Sequence, residues 1–267
     1  MYQLYDFSKW KVSPKKWRGA NPKTWLENSI GQRALFKYTK VNNGMYSGDH
    51  WSEKMASDLI KLFGLVSMDV DMGYYNDRLG CLCYDITESH GAFTEAWTVL
   101  PPKSTATDRS FTLNDLKVSF SPNAYEEAIH MLIIDFIIGN NDRHTENFAI
   151  LNTSGLLCPL YDNASSLACR VDEANIIKMK KDKMQYQAFL DRPKSKMTIG
   201  SVENAPHTMV IPYLRQQEPA IYNKISQYIK SLSASRINSV LSNFSPVVST
   251  DRLAFIERVL VDRISQL

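Results

Sequence analysis

Short β-like runs separated by turn residues fill the first third of the chain, and helical spacing dominates afterwards. Residues 34–39 (Ala-Leu-Phe-Lys-Tyr-Thr) read as a strand, with turn signals at Gly31 and at Asn42-Asn43-Gly44. Trp51, Met55, Leu59, Ile60 and Phe63 then recur at helical spacing, with Ser47 or Asp49 as the expected cap and Gly64 as the stop. Two further strands are expected over 66–75 and 78–86. A Thr-, Ser- and Pro-rich connection follows over 87–110. From 124 to 138 an apolar helix is expected, interrupted only by Asp135 and ended by Gly139. Residues 148–152 and 156–160 read as a small hairpin, and helices are expected over 220–233, 234–244 and 251–266, the first announced by Pro219.

The pattern predicts an α+β fold of two lobes: a small β-rich lobe with one helix over 1–88 and a larger helical lobe over 89–267. Composition agrees with a globular chain. Of 267 residues, 44% are hydrophobic and 11% aromatic, which excludes a disordered class, and 11 Gly with 11 Pro exclude a collagen-like one. The first 25 residues are basic and carry Trp10, Trp17 and Trp25, yet Lys plus Arg (31) barely exceeds Asp plus Glu (28). That balance does not indicate nucleic acid as the direct ligand. The longest apolar stretch near the middle, 131–138, is broken by Asp135 and is far short of a bilayer span, which needs roughly 20 residues. No secretory leader is read at the N-terminus, and four cysteines make no disulfide framework, so a cytoplasmic location is expected.

The chemistry concentrates in Gly139-Asn140-Asn141-Asp142-Arg143-His144-Thr145-Glu146-Asn147, a polar loop between a helix and a strand. Asp142 can orient an attacking hydroxyl and accept its proton. Asn147, five residues on, and Asp162, just past the hairpin, can supply hard oxygen ligands to magnesium. Base, amide and metal acid in this order match the arrangement needed for phosphoryl transfer. Such a site also needs a lysine for the phosphates and an acid to hold it. Lys37 on the 34–39 strand and Glu53 on the next helix are the candidates, with Lys40 as an alternative lysine. Backbone N–H groups near Gly31, Gln32 and Arg33 are placed to cover phosphate.

Asn140-Asn141-Asp142-Arg143-His144 with Asn147 and the downstream Tyr161-Asp162 resembles the HipA-like serine/threonine kinases of bacteria. Ser29-Ile30-Gly31-Gln32 is similar to a compressed form of that family's phosphate loop. The segment from Trp51 to Ala56 is similar to its first small-lobe helix. The length is that of a short form, similar to HipT-type toxins or CtkA-type kinases. The resemblance implies a protein-kinase-like fold with ATP and magnesium between the lobes. It makes Asp142 the base, Asn147 and Asp162 the metal ligands, and Lys37 the phosphate ligand paired with Glu53. His144 braces the loop or approaches phosphate, and Cys83-Tyr84-Asp85 falls at the adenine hinge. It further implies a protein substrate with a Ser or Thr hydroxyl, autophosphorylation with Ser29 as the matching position, and a toxin with an antitoxin partner.

Each residue also has a plainer reading. Asp142 is ordinary in a turn, Glu53 complements a helix dipole, and Ser29 is a turn serine. Cys81 and Cys83 alternate on an apolar strand and read as packing, and the basic run 178–183 as a solvated face. A lipid or small-molecule kinase on the same fold needs a basic membrane-facing surface that the sequence does not display. A pseudokinase or partner-binding module predicts a missing catalytic group, whereas Lys37, Asp142, Asn147 and Asp162 are all present.

Overall fold

The computed structural model of the chain describes residues 1–15, 22–42, 44–103, 105 and 108–267. Trp17 and Asn43, named above, lie outside them. In chain order come β1 (Tyr5–Asp6), β2 (Lys11–Val12), β3 (Lys23–Glu27), β4 (Arg33–Tyr38), β5 (Val41–Asn42), β6 (Met45–Tyr46), α1 (Asp49–Leu62), β7 (Val70–Tyr75) and β8 (Arg78–Tyr84). Six of these strands form one sheet in the order β1-β7-β8-β4-β3-β2, antiparallel except for the β1–β7 pair.

Register decides what the sheet shows to each side, because side chains alternate with period two. Leu35 pairs with Cys83 and Lys37 with both Cys81 and Lys23, so Lys23, Leu35, Lys37, Cys81 and Cys83 share one face. Ala34, Phe36 and Leu82 take the other face and pack under Phe7, Leu26 and Tyr75. Helix α1 is capped by neither Ser47 nor Asp49. Its N-cap is Gly48, and the Ser47 hydroxyl donates instead to the Asp49 carboxylate. Gly64 does stop the helix, at a positive φ of 96° that glycine tolerates.

The expected connection over 87–110 is more structured than its composition suggested. It holds α2 (Ile86–His90), β9 (Phe93–Glu95) and α3 (Ala96–Val99). Asp85 caps α2 by accepting from the Thr87 N–H, so the strand expected to reach 86 ends at Tyr84. The strand expected from 66 begins only at Val70, and Ser67 makes a single bridge to Leu160.

The rest of the chain is helical: α4 (Leu113–Ser119), α5 (Pro122–Ile138), α6 (Glu173–Lys181), α7 (Lys183–Asp191), α8 (His207–Gln217), α9 (Pro219–Ser231), α10 (Ala234–Ser242) and α11 (Thr250–Ser265). Helix α5 begins two residues earlier than its apolar pattern, because Ser121 caps it and Pro122 fits its first turn. Its residues from Met131 to Ile138 are all buried, so α5 is the axis of the largest core cluster, with α1 against it from the small lobe. The expected 148–160 hairpin survives as one bridge, Ile150 to Leu157. The main partner of β10 (Ala149–Leu151) is β9, contributed by the connection. A second core cluster joins the lobes: Met68, Val70, Cys81, Cys83 and Ile86 meet Ala149, Leu151 and Cys158. The lysines of the basic run are exposed on the last turn of α6 and the first of α7.

Gly139 turns the chain out of α5 at φ 68°, and a Cβ there would sit 2.3 Å from an Arg263 guanidinium nitrogen. Gly139→Ala is expected to lower stability by at least about 1–2 kcal/mol, the ordinary cost of the left-handed conformation. Urea unfolding followed by circular dichroism measures it, and an unchanged midpoint would contradict the geometry.

Candidate functional site

The loop after α5 is held by a buried arginine. Asp135, in the last turn of α5, meets the Arg143 guanidinium through two parallel bonds, each 3.1 Å long. The remaining Arg143 N–H groups donate to Asn147 O (2.8 Å), Tyr161 O (2.8 Å) and Asn163 Oδ1 (2.6 Å). All five donors of this side chain are therefore bonded. One guanidinium nitrogen spans the carbonyls of Asn147 and Tyr161, so Arg143 fixes the spacing between Asn147 and Asp162. Asn140 adds to the frame, donating to Asp135 and accepting from the Asp142 N–H.

His207, the first residue of α8, supports the loop from below, with Nε2 2.7 Å from Asn140 O. A carbonyl only accepts, so Nε2 carries the proton. Burial lowers the His207 pKa to about 4, which keeps the ring neutral near pH 7.

Within this frame the Asn147 amide donates to Asp142 O at 2.8 Å, leaving its Oδ1 without a bond among the described residues. The Asp142 carboxylate, half-buried, likewise has no hydrogen-bond partner among them. His144 accepts from the Glu146 N–H through Nδ1 (3.3 Å), inside the loop.

Across the cleft, Lys37 Nζ lies 3.0 Å from Glu53 Oε2 and 2.9 Å from Asp162 Oδ1. Burial opposes the charge on Lys37, but Asp162 and Glu53 outweigh it and hold its pKa well above the usual value. The Lys37 charge in turn lowers the Asp162 pKa to about 2. Glu53 is fully buried, and its other oxygen accepts from the Asn163 N–H at 2.7 Å. One carboxylate thus joins the strand lysine to the backbone beside Asp162. Lys40, the alternative lysine, is exposed and outside this network.

Lys23 was not singled out from sequence, yet it shares the face of Lys37. Burial lowers its pKa; Asp162 pulls the other way, and Lys37 adds to the lowering. Its signal was the spacing of Lys23 and Trp25 along a strand whose start the sequence did not reveal. Arg143 was likewise read as no more than a loop residue, although Asp135 inside an apolar helix marked the place of its partner.

The remaining expected residues are more scattered. Ser29, Ile30, Gly31 and Gln32 form an exposed turn between β3 and β4. Asn28 Oδ1 accepts from the Ile30 and Gln32 N–H groups, and Asn28 O from Gly31. The Arg33 N–H faces the Glu88 carboxylate. The expected phosphate cradle is therefore closed in this arrangement, and amide contact with phosphate there requires those bonds to open. Of Cys83-Tyr84-Asp85, Cys83 lies in the inter-lobe cluster, whereas Tyr84 points to the far face and donates to Asp71. The Asp85 carboxylate accepts from Lys15 and Thr87.

Asn147 Oδ1 and the Asp162 carboxylate are hard oxygen donors of the kind magnesium takes, on two segments tied together through Arg143. Among the described residues no three His, Cys, Asp or Glu side chains gather. No helix is long and apolar enough among the described residues to cross a membrane.

A family model for the HipA-like C-terminal domain matches residues 16–210. The Helicobacter pylori proinflammatory kinase CtkA superposes with a TM-score of 0.81 at 20% identity, covering 99% of this chain and 95% of that one. HipA of Shewanella oneidensis MR-1, solved with HipB and its operator DNA, gives a TM-score of 0.57 at 14% identity over 98% of this chain and 67% of that one. No curated protein sequence matches. These likenesses establish a two-lobed, protein-kinase-like α+β fold.

Two measurements test the site. Replacing Arg143 by Met or Asp135 by Leu singly is expected to cost about 3–5 kcal/mol, since each strands a buried charge. The double replacement should lose less than the sum. Additive losses in urea unfolding would show the pair to be uncoupled. The Asp162 carboxyl should stay ionised until pH falls to about 2, where NMR should follow its titration. Its depressed value makes its stabilising contribution present above the ordinary carboxylate range and lost as pH falls through that interval. Lys37→Met should move the Asp162 titration back toward the usual 3.8; no movement would remove Lys37 as the cause.

Proposed function

Because the chain belongs to the HipA-like C-terminal domain family, we propose that it is an ATP- and magnesium-dependent protein kinase acting on serine or threonine hydroxyls. The observation that carries this reading is Lys37 held between Glu53 and Asp162, with Asn147 and Asp162 kept adjacent by Arg143. Phosphoryl transfer asks a protein mainly for positioning and for charge placed in advance, and these groups supply both.

In this reading Lys37 binds the donor's phosphates, and Lys23 adds a second positive charge on the same face. The inter-lobe cluster around Val70, Cys83 and Leu151 offers an apolar bed for the adenine. Asp142 lies in the loop with its carboxylate open. It orients the acceptor hydroxyl and takes its proton as the oxygen attacks the γ-phosphorus and the bond to the β-phosphate oxygen breaks. Asp162 and Asn147 would hold magnesium, which supplies neutralisation of the phosphate charge.

Finer points rest on the family resemblance. Ser29 sits in an exposed turn and is proposed as the autophosphorylated residue. The antitoxin partner is proposed by analogy with the HipA that was solved together with HipB.

Radiolabelled γ-phosphate ATP with magnesium is expected to label the wild-type protein or proteins of a cell extract. Asp142→Ala and Asp162→Asn should each lose at least about a hundredfold in rate, the low end for a general base, while keeping the wild-type circular dichroism spectrum. Asn is chosen at 162 because that residue adopts φ 59°, which Asn tolerates. Near-wild-type turnover in either variant overturns the assignment.

A further inference from the structure

Three arginines are buried among the described residues: Arg143, Arg252 and Arg263. The first is paired with Asp135 and the second with Glu173. Arg263, on α11, is 2% exposed and, among the described residues, has no carboxylate within ion-pair distance; Asp191 acts on it only through its charge. Its terminal nitrogens make only long bonds to carbonyls, 3.3 Å to Ile137 O and 3.4 Å to Leu190 O, and its Nε–H has no partner. A buried cation left this way is costly unless an anion completes it.

Arg263 lines a cavity of about 110 Å³ together with Asn141, Ser165, Arg170 and Arg192. That is well below the roughly 300 Å³ at which cofactor and drug-sized pockets begin, and it suits a single small group. Arg170 donates to the Ser165 hydroxyl at 3.1 Å and is 53% exposed, and Arg192, also exposed, ends α7. Two acids face this group. Asp49 lies 3.6 Å from Arg170, and Asp191 acts on Arg263 through its charge without bonding to it. Three guanidinium groups against two carboxylates leave the cavity positive. The unpartnered Arg263 Nε–H and two further guanidinium groups at the rim offer more donors than the two oxygens of a carboxylate use and suit the several oxygens of a phosphate.

The position gives this site its use. Asn141 precedes Asp142, and its N–H donates to Ser165 O, so the cavity opens between the loop that carries the base and the segment that follows Asp162. We propose that this cavity binds the phosphate of a phosphorylated serine or threonine side chain in the acceptor protein, so that the enzyme selects acceptors already phosphorylated near the target hydroxyl. The selection role rests on the kinase reading above; the binding itself does not.

The test is an NMR titration of the full-length ¹⁵N-labelled protein with N-acetyl-O-phosphoserine amide, N-acetylserine amide and inorganic phosphate, in the absence of nucleotide. The phosphoserine derivative should shift the Arg263 Nε–H and the Asn141 and Ser165 amides and saturate, and the serine derivative should not. The double variant Arg170→Ala/Arg192→Ala changes exposed residues only. It should weaken binding at least tenfold with an unchanged melting curve. Shifts confined to the Lys23 and Lys37 face, or unchanged affinity in the double variant, would overturn the proposal. Equal or tighter binding of inorganic phosphate would assign the cavity to a free ion and overturn it as well. Loss of phosphoryl transfer with phosphoserine binding intact would sink the kinase reading alone.

Discussion

The Asp135–Arg143 pair is the constraint on which the cleft depends. A charge buried at the end of an apolar helix is tolerated because a guanidinium meets it fork to fork, and that guanidinium has three more N–H groups to place. They go to Asn147, Tyr161 and Asn163, which belong to the loop and to the segment past β10. Two stretches without regular structure are thus set at a fixed distance by one side chain whose geometry is planar and rigid. Loops ordinarily vary; these two are tied to each other through a single guanidinium.

The second organising element is electrostatic. Lys37 stands between two carboxylates, one fully buried and one open to the cleft. Glu53 faces no solvent; it pairs with the Lys37 ammonium and is a peg for the Asn163 N–H. Asp162 is 47% exposed and keeps part of its carboxylate open to the cleft. The arrangement therefore separates a buried carboxylate from a part-exposed one on the same ammonium group. Lys23, close enough to Lys37 to feel its charge, raises the positive potential of this wall further.

Much of this was legible in the chain. The strand carrying Lys37, the helix carrying Glu53 and the stop at Gly139 each follow from local pattern, and their contacts follow once the lobes are assembled. What escaped was non-local. β9 lies in a segment whose composition reads as connection, and it becomes a strand because β10 needs an edge partner. Helices α6, α7 and α8 were not read from the sequence; packing of Ile176, Met179 and Tyr186 against Phe255 and Val259 of α11 holds the first two in place. The spacing of Asp135 and Arg143 is visible in the sequence, but nothing local says that both are buried. The turn at Ser29 reads in sequence as an amide cradle; in the structure Asn28 takes the Ile30, Gly31 and Gln32 N–H groups and Glu88 takes that of Arg33.

Helix α1 belongs by sequence to the small lobe and bonds within it, Glu53 to Lys37, Ser57 to Met68 O and Lys61 to Asp69, but it also bonds across the cleft. Ser52 donates to Ser166 O, Glu53 accepts from Asn163, and Gly48, just before the helix, donates to Cys169 O. On its outer side Tyr2 donates to Asp58 while its own N–H reaches Asn243 O beyond α10. Swinging α1 outward would leave Ser52, Glu53 and Asn163 buried without partners, at a cost of about 1–3 kcal/mol for each neutral group and more for the charge. The helix therefore ties the two lobes to each other. A swing of α1 that parted Lys37 from Glu53 would break bonds to both lobes at once.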